Sequence, residues 1–221
     1  MGLDSGRKFR LLCTGRNAGA GLLKCGILIR FPMATSPRIL AFSGSARRES
    51  LNRKLLNAAV EATRTAGGEV TLLDLNDYVL PLYDGDLEDE KGLPENAKKL
   101  IDLITRHDAL LLASPEYNSQ LTPLLKNTID WCTRGDDNPF TGKVAAVVSA
   151  SPGNFGGIRS MTLARQLLTH LGCLVVAAQC VLPKADEAFD AQGKLKDART
   201  QKAVTALAQE LVRVTAGVAV K

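Results

Sequence analysis

Short apolar runs alternate with longer helix-like stretches along most of the chain, and this alternation constrains the fold more than any other feature. The apolar runs cover residues 39–42, 70–75, 109–113, 144–148 and 173–181. Most of them are apolar without interruption, as is typical of strands that are covered on both faces. The intervals between them suit crossover helices and are too long for hairpins. The pattern predicts an α/β fold in three layers, with a five-stranded parallel sheet between helices.

The intervals also show where the helices lie. Apolar residues recur every third or fourth position from 51 to 66, and Gly67-Gly68 indicates the end of that helix. Similar patterns predict helices over residues 95–106, 122–133, 158–171 and 196–215. Residues 78–94 contain Pro81, Gly85 and an acidic stretch, which favours a surface loop.

The formal net charge of +5 comes entirely from the first 32 residues. They contain six basic residues and only Asp4 as an acid, whereas the remaining chain has 22 residues of each sign. A neutral body gives no indication of a nucleic-acid partner, and Lys24 and Arg30 interrupt the best apolar stretch, so no membrane segment is expected. We interpret residues 1–32 as a basic extension, disordered or non-native, with an organelle transit peptide as the alternative. Residues 33–221 are predicted to form one domain.

The cysteines and histidines exclude two kinds of stabilising site. The five cysteines form an odd set without C-x-x-C spacing, and only two histidines are present. This composition argues against a zinc site and a disulfide framework, and it predicts a reducing, cytoplasmic environment. The cysteines are Cys13, Cys25, Cys132, Cys173 and Cys180.

Three loops have the composition expected of a ligand site. In an open parallel sheet, ligands bind beyond the carboxyl ends of the strands, where the strand order reverses. The loops of residues 43–52, 114–119 and 149–157 follow the first, third and fourth predicted strands. These strands are neighbours in the order 2-1-3-4-5, which is the order we predict, so the three loops would share one crevice.

The first of these loops has the residues needed to bind a phosphate group. Ser45, Ser50 and Asn52 offer donors, Arg47 offers a charge, and the following helix presents its positive end. The loop matches neither G-x-G-x-x-G nor G-x-x-x-x-G-K-[ST], which disfavours an ordinary dinucleotide fold and a P-loop kinase. The alternative is a plain strand–helix turn in which Ser50 is the N-cap.

The second and third loops suit a flat heterocycle. Pro115 restricts the backbone, Tyr117 offers a ring face, and Asn118 can bond to the edge of a ring system. Glu116 has no histidine or second carboxylate paired with it, which favours a structural or rim carboxylate over a catalytic acid. The third loop contains three glycines that allow its backbone to approach a ligand, or that form an ordinary turn.

At these residues the chain resembles the NADPH-dependent FMN reductase family of quinone, azo-dye and chromate reductases, which have a flavodoxin-like fold. The resemblance runs from about Arg38 to about Thr215. It depends on Gly44-Ser45-Ala46-Arg47 with Ser50 and Asn52, on Pro115-Glu116-Tyr117-Asn118 followed by Leu125-Lys126-Asn127-Thr128-Ile129-Asp130-Trp131, and on Ser151 with Gly156-Gly157.

The resemblance implies a role for each part of the crevice. The FMN phosphate would be bound by Ser45, Arg47, Ser50, Leu51 and Asn52. The isoalloxazine ring would be bound by Pro115, Glu116, Tyr117 and Asn118, and the ribityl chain or ring edge by Ser151 and Gly153. No side chain is then required as a catalytic acid or base, because the flavin carries the chemistry.

The leading hypothesis is therefore a flavoprotein oxidoreductase that passes hydride from NADPH or NADH through FMN to quinones or other small acceptors in a ping-pong cycle. The alternatives are a flavodoxin-like electron carrier and a non-enzymatic module that binds another phosphorylated ligand. The resemblance also predicts a homodimer or homotetramer, as do the apolar residues Leu125, Ile129 and Trp131 of one helix.

Overall fold

The computed structural model describes residues 36–218, so the predicted basic extension at residues 1–32 lies outside the described residues. The strands are β1 (Arg38–Ser43), β2 (Glu69–Leu73), β3 (Ala109–Ala113), β4 (Glu116–Tyr117), β5 (Gln120–Leu121), β6 (Val144–Ala150), β7 (Leu174–Val175) and β8 (Cys180–Leu182). The helices are α1 (Leu51–Thr65), α2 (Gly85–Lys91), α3 (Glu95–Arg106), α4 (Pro123–Cys132), α5 (Ile158–His170) and α6 (Ala198–Val218).

The main sheet confirms the predicted strand order. Its strands run parallel in the order β2-β1-β3-β6-β7, and β8 also pairs with β6 in parallel. In order of appearance along the chain this is 2-1-3-4-5. The strands β1, β3 and β6 are therefore adjacent, as the predicted crevice requires.

The fifth predicted strand is interrupted, which the apolar pattern did not indicate. Val175 pairs with Ala145, and Cys180 pairs with Val148. These two pairs are five residues apart on the fifth predicted strand but only three residues apart on β6. Within the interruption, two backbone amides find a partner outside the sheet. The N–H groups of Ala177 and Ala178 donate to the Glu210 carboxylate of α6, at 3.2 and 2.8 Å. A distant side chain thus replaces the sheet partner and divides the strand into β7 and β8.

Two apolar layers enclose the sheet and complete the three-layer arrangement. Alternate residues of β1 point to opposite faces, as the two-residue period of a strand requires. Ile39 packs in the layer with α1 and α6, whereas Leu40 packs in the layer with α3, α4 and α5. Within the described residues, no helix is long and apolar enough to be a candidate membrane span.

The segment predicted as a surface loop contains the helix α2. None of its residues is buried, which explains why it has no apolar periodicity. The Asp84 side chain accepts the N–H of Asp86 at 3.0 Å and caps the helix, and Asp86 and Glu88 lie in its first turn. Carboxylates stabilise the N-terminus of a helix, because the helix dipole is positive there. The acidic stretch therefore favours the start of a helix at this position.

The apolar face of α4 packs inside its own chain. Trp131 and Leu125 have no exposed surface, Ile129 is 2% exposed, and the Trp131 indole donates to the Pro81 carbonyl at 2.8 Å. These side chains are part of the core, so they do not support the oligomer prediction that was based on them. That prediction now depends on the family resemblance alone.

The described cysteines are buried and free. Burial raises the pKa of the Cys132 thiol to about 12 and that of the Cys180 thiol to about 11. Burial also raises the pKa of Cys173 to about 11, although the nearby charge of Lys143 opposes this shift. Because the thiolate is the reactive form, these three cysteines are suited to packing and not to redox chemistry.

We expect the folded protein to protect these three thiols from modification. In a Cys13→Ser/Cys25→Ser variant, a chromogenic disulfide reagent at neutral pH should label fewer than one thiol per chain quickly. The same protein unfolded in guanidinium chloride should release the signal of Cys132, Cys173 and Cys180. Fast labelling of any of the three in the folded state would contradict the burial described here.

Candidate functional site

Three loops meet at the carboxyl edge of the sheet. We call them the first loop (residues 44–50), the second loop (residues 114–122) and the third loop (residues 151–157). Backbone hydrogen bonds continue the sheet into them, since Gly44 donates to the Ala113 carbonyl and Ser114 donates to the Val148 carbonyl, both at 2.9 Å. The structure therefore brings the three predicted loops side by side.

The first loop leaves the positive end of α1 open. Ser50 is the N-cap, and its side chain accepts the Arg53 N–H at 3.3 Å. The N–H groups of Leu51 and Asn52 have no hydrogen-bond partner among residues 36–218. Unpaired amides at a helix N-terminus attract anions. Both interpretations of Ser50 are therefore compatible, because the residue caps the helix and the remaining amides stay free.

Arg47 adds a cation to this open helix end. Its side chain is exposed and forms no ion pair with any described residue. Its backbone N–H donates to the Ser45 hydroxyl at 3.3 Å, which shapes the loop around the small side chain. The guanidinium group thus has no structural role among the described residues.

The Asn52 side chain connects the first and third loops. Its Nδ2 donates to the Ala150 carbonyl at 2.7 Å, and its Oδ1 accepts the Ala150 N–H at 3.0 Å. These bonds join residues 98 positions apart in the sequence and hold the end of β6 beside the start of α1. The side chain that we assigned to phosphate binding therefore also has a positioning role, while its backbone N–H is free.

Gly44 and Thr122 attach the first loop to the second. The Thr122 hydroxyl donates to the Gly44 carbonyl at 2.7 Å and accepts the Leu125 N–H at 3.3 Å. A Cβ atom on Gly44 would lie only 2.7 Å from the Leu125 Cβ. Only glycine allows the two segments to approach this closely.

The second loop folds as a two-residue hairpin between β4 and β5. Asn118 and Ser119 have φ values of 52° and 65°, so both lie in the left-handed region. A two-residue hairpin with a type I′ turn needs this backbone at both central positions, and asparagine tolerates it well. The hairpin presents Tyr117 with 48% of its surface exposed, leaving an aromatic surface accessible to a ligand.

Glu116 caps the helix α5 from a different loop. The helix begins after Gly157, which has no side chain to act as a cap. The Glu116 carboxylate instead accepts the N–H groups of Arg159 and Ser160, at 3.0 and 3.2 Å. It also accepts Nη1 of Arg159 at 2.8 Å, and the same nitrogen donates to the Ser119 hydroxyl at 2.9 Å. This geometry supports the structural interpretation of Glu116 over the catalytic one.

We expect Glu116→Ala to destabilise the protein. The change leaves two amides of α5 and one guanidinium without their acceptor, and losses of this type cost about 1–3 kcal/mol. Urea unfolding should show a lower midpoint, with Glu116→Gln between the alanine variant and wild type. The control is Glu90→Ala, which removes an exposed carboxylate that makes no such contacts. Equal stability of Glu116→Ala and Glu90→Ala would contradict the capping role.

Three buried serines connect the second loop to β6 and α5. Ser149 donates to the Ser114 carbonyl at 2.7 Å, and Ser160 donates to the Pro115 carbonyl at 2.7 Å. The hydroxyls of Ser114 and Ser160 are also 2.7 Å apart. Because Ser160 gives its proton to Pro115, Ser114 must be the donor to Ser160. No sequence pattern predicts this network, and its only local signal is the pair of serines at the ends of β3 and β6.

The third loop is anchored to the segment after β8. The Ser151 N–H donates to the Leu182 carbonyl at 3.1 Å, and the Ser151 hydroxyl accepts the Gly153 N–H at 3.1 Å. Gly156 has a φ of 59°, and a Cβ there would lie 2.8 Å from the Pro183 nitrogen. The glycines of this loop therefore permit close backbone packing. Phe155 remains 64% exposed.

Three groups with shifted pKa values, Arg38, Asp108 and Lys143, lie at the opposite edge of the sheet. Burial alone would raise the pKa of Asp108, but hydrogen bonds and charge from Arg38 lower it overall. Burial lowers the pKa of Lys143, which donates to the His107 carbonyl at 2.5 Å. These residues begin or precede strands, so they stabilise the amino edge and do not belong to the three loops. Within the described residues, no cluster of metal-ligating side chains occurs.

Comparison with known proteins identifies one family and several relatives that are similar to most of this chain. The profile of the family described as NADPH-dependent FMN reductase matches residues 37–187. An NAD(P)H-dependent FMN reductase of Pseudomonas aeruginosa is 35% identical over 180 residues, covering 81% of this chain and 95% of the relative. A quinone reductase of Pseudomonas putida is 38% identical over 157 residues, covering 70% of this chain and 82% of the relative.

Solved structures agree with the sequence comparison. A flavoenzyme NAD(P)H:(acceptor) oxidoreductase of Paracoccus denitrificans superposes with a TM-score of 0.71 and 30% identity, over 81% of this chain and 97% of that one. A flavodoxin from the domain Archaea superposes with a TM-score of 0.52 and 9% identity, over 80% of this chain and 98% of that one. The second similarity concerns the fold alone, and it confirms the flavodoxin-like architecture.

Proposed function

The chain belongs to the NADPH-dependent FMN reductase family, and from this premise we propose that it is a flavoprotein oxidoreductase that passes hydride from NADPH or NADH, through FMN, to quinones or other small acceptors. The observation that carries the proposal is the open N-terminus of α1. Its free amides at Leu51 and Asn52 directly follow the loop that carries the unpaired Arg47.

The residues present fit FMN. A phosphate group needs several donors and a positive charge, and we assign it to Ser45, Arg47, Ser50, Leu51 and Asn52. The flavin ring needs an apolar or aromatic surface and backbone groups at its edge, and we assign it to Pro115, Glu116, Tyr117 and Asn118. We assign the ribityl chain or ring edge to Ser151 and Gly153. When bound, FMN supplies the ability to accept hydride and to pass it on.

Within this assignment, the protein orients the cofactor and keeps the loops in place. Thr122 holds the first loop against α4, Asn52 holds α1 against β6, and Glu116 holds the second loop against α5. Such positioning residues lower the cost of arranging the reactants before reaction. Neither histidine of the chain lies in the three loops, which agrees with chemistry that needs no acid or base from a side chain.

The proposal is tested by titration and steady-state kinetics. Calorimetric titration with FMN should give one flavin per chain. Initial rates with NADPH and benzoquinone varied together should give parallel double-reciprocal lines, as ping-pong kinetics require. A protein that binds FMN but consumes NADPH no faster than free FMN would be an electron carrier, and the reductase proposal would fail.

Several wider features also belong to the proposal. We propose a homodimer or homotetramer in the cytoplasm, with residues 1–32 as a dispensable extension before a single domain that begins at Met33. Light scattering at micromolar concentration should give a mass at least twice the 23.6 kDa of one chain. A mass equal to that of one chain would exclude both assemblies.

A further inference from the structure

Two exposed aromatic side chains lie in the three loops. Of the large apolar side chains that are exposed in residues 36–218, these loops contain Tyr117, which is 48% exposed, and Phe155, which is 64% exposed. Aromatic side chains stabilise a fold mainly when they are buried, so the exposed surface of both is available for another molecule. Tyr117 is assigned to the flavin ring, whereas Phe155 has no assigned role.

A cation holds the Phe155 ring on one side. The guanidinium carbon of Arg159, in the first turn of α5, lies 4.9 Å from the centre of the Phe155 ring. A cation over the face of an aromatic ring attracts it. Arg159 therefore covers one side of the ring, and most of the remaining side chain is open to solvent.

Arg159 is itself fixed to the second loop. Its Nη1 donates to the Glu116 carboxylate at 2.8 Å and to the Ser119 hydroxyl at 2.9 Å. The same carboxylate accepts the backbone N–H of Arg159 at 3.0 Å. Because both the backbone and the side chain of Arg159 are bound to Glu116, the Phe155 ring is held beside the loop to which we assign the flavin ring.

An aromatic surface in this place suits a quinone better than it suits NADPH. A quinone such as menadione is small, flat and neutral, so contacts with its rings provide most of the surface that it can bury. NADPH also carries phosphates and an adenine, which spread its binding over many contacts. Flat rings pack well against aromatic side chains in offset or edge-to-face arrangements, and the open side of Phe155 can form such a contact.

We propose that Phe155 contacts the ring of the quinone acceptor and determines which acceptors the protein prefers, with Arg159 as the residue that positions it. The inference rests on the proposed function, because it places the acceptor beside the flavin. The reaction itself is unchanged: the quinone takes hydride from the reduced flavin and a proton from water, and it leaves as the hydroquinone. Phe155 favours flat ring acceptors over acceptors without a ring.

A comparison of two acceptors tests this role. Menadione is a flat quinone, and ferricyanide is a compact anion without a ring. In ping-pong kinetics, the ratio of their kcat/KM values depends neither on the NADPH reaction nor on the fraction of active protein. Phe155→Ala should lower the ratio of menadione to ferricyanide about tenfold. Phe155→Tyr keeps the ring, so its ratio should stay within about twofold of wild type.

Leu82→Ala is the control, because Leu82 is an apolar side chain that is 78% exposed and lies outside the three loops. Its ratio should equal that of wild type. An unchanged ratio in Phe155→Ala, or an equal fall in Leu82→Ala, would overturn the inference and leave the proposed function standing. A lower kcat/KM for NADPH in Phe155→Ala, with the acceptor ratio unchanged, would assign the residue to the hydride donor and also overturn it. If wild type reduces neither acceptor with NADPH or NADH, the proposed function fails and the inference fails with it.

Discussion

Arg47→Ala should weaken FMN binding about 10- to 150-fold, because removing one charge-assisted phosphate contact costs about 1.5–3 kcal/mol. The large effect is expected on binding and not on folding. Arg47 is exposed and has no ion-pair partner among the described residues, so the free energy of unfolding without flavin should stay within about 0.5 kcal/mol of wild type.

Calorimetric titration with FMN measures this effect, and Arg48→Ala is the matched control. The two arginines are neighbours with the same exposure class, so a general loss of positive charge would weaken FMN binding equally in both variants. A specific phosphate contact predicts a large loss for Arg47→Ala alone. Unchanged FMN affinity in Arg47→Ala would refute the assignment of this residue.

Gly157→Ala should destabilise the protein by about 2–4 kcal/mol, through backbone strain and overpacking together. Gly157 has a φ of 81°, and an added Cβ would lie 2.1 Å from the Ser149 Oγ. Ser149 cannot move away freely, since its hydroxyl donates to the Ser114 carbonyl in the buried serine network. The added methyl group therefore disrupts the contact between β6 and the second loop.

Urea unfolding of a double-mutant cycle separates the two causes. Adding Ser149→Ala removes the contacting oxygen, so it should recover part of the stability that Gly157→Ala loses. The backbone strain at Gly157 should remain. Gly153→Ala is the control in the same loop, because its Cβ would lie 3.4 Å from the nearest atom and its φ is not positive. If Gly153→Ala and Gly157→Ala cost the same, the close approach is not the cause.

Much of the fold follows from local patterns in the sequence. The strand at 109–113 and the helix at 95–106 occur with the predicted bounds, because continuous apolar runs and a three-to-four-residue period are direct consequences of burial. The division of the fifth strand could not be predicted in this way. It depends on Glu210, which reaches the amides of residues 177 and 178 from α6, and such a contact leaves no mark on the strand's own pattern.

The site shows the same distinction between local composition and long-range contact. The three loops could be located because parallel strands place their carboxyl ends together and because these loops are rich in small and polar residues. The contacts that hold the loops join residues far apart: Asn52 and Ala150 are separated by 98 positions, and Glu116 and Arg159 by 43. The lack of a paired histidine or carboxylate therefore favours a structural or rim role for Glu116, but no local pattern shows that it caps α5.

The most direct test of the central claim is rapid anaerobic mixing of the FMN-saturated protein with NADPH, followed by the visible absorbance of the flavin. We expect the absorbance to be lost much faster than for free FMN, and to return when benzoquinone is added. If neither NADPH nor NADH bleaches the bound flavin faster than free FMN, the protein is not the reductase proposed here.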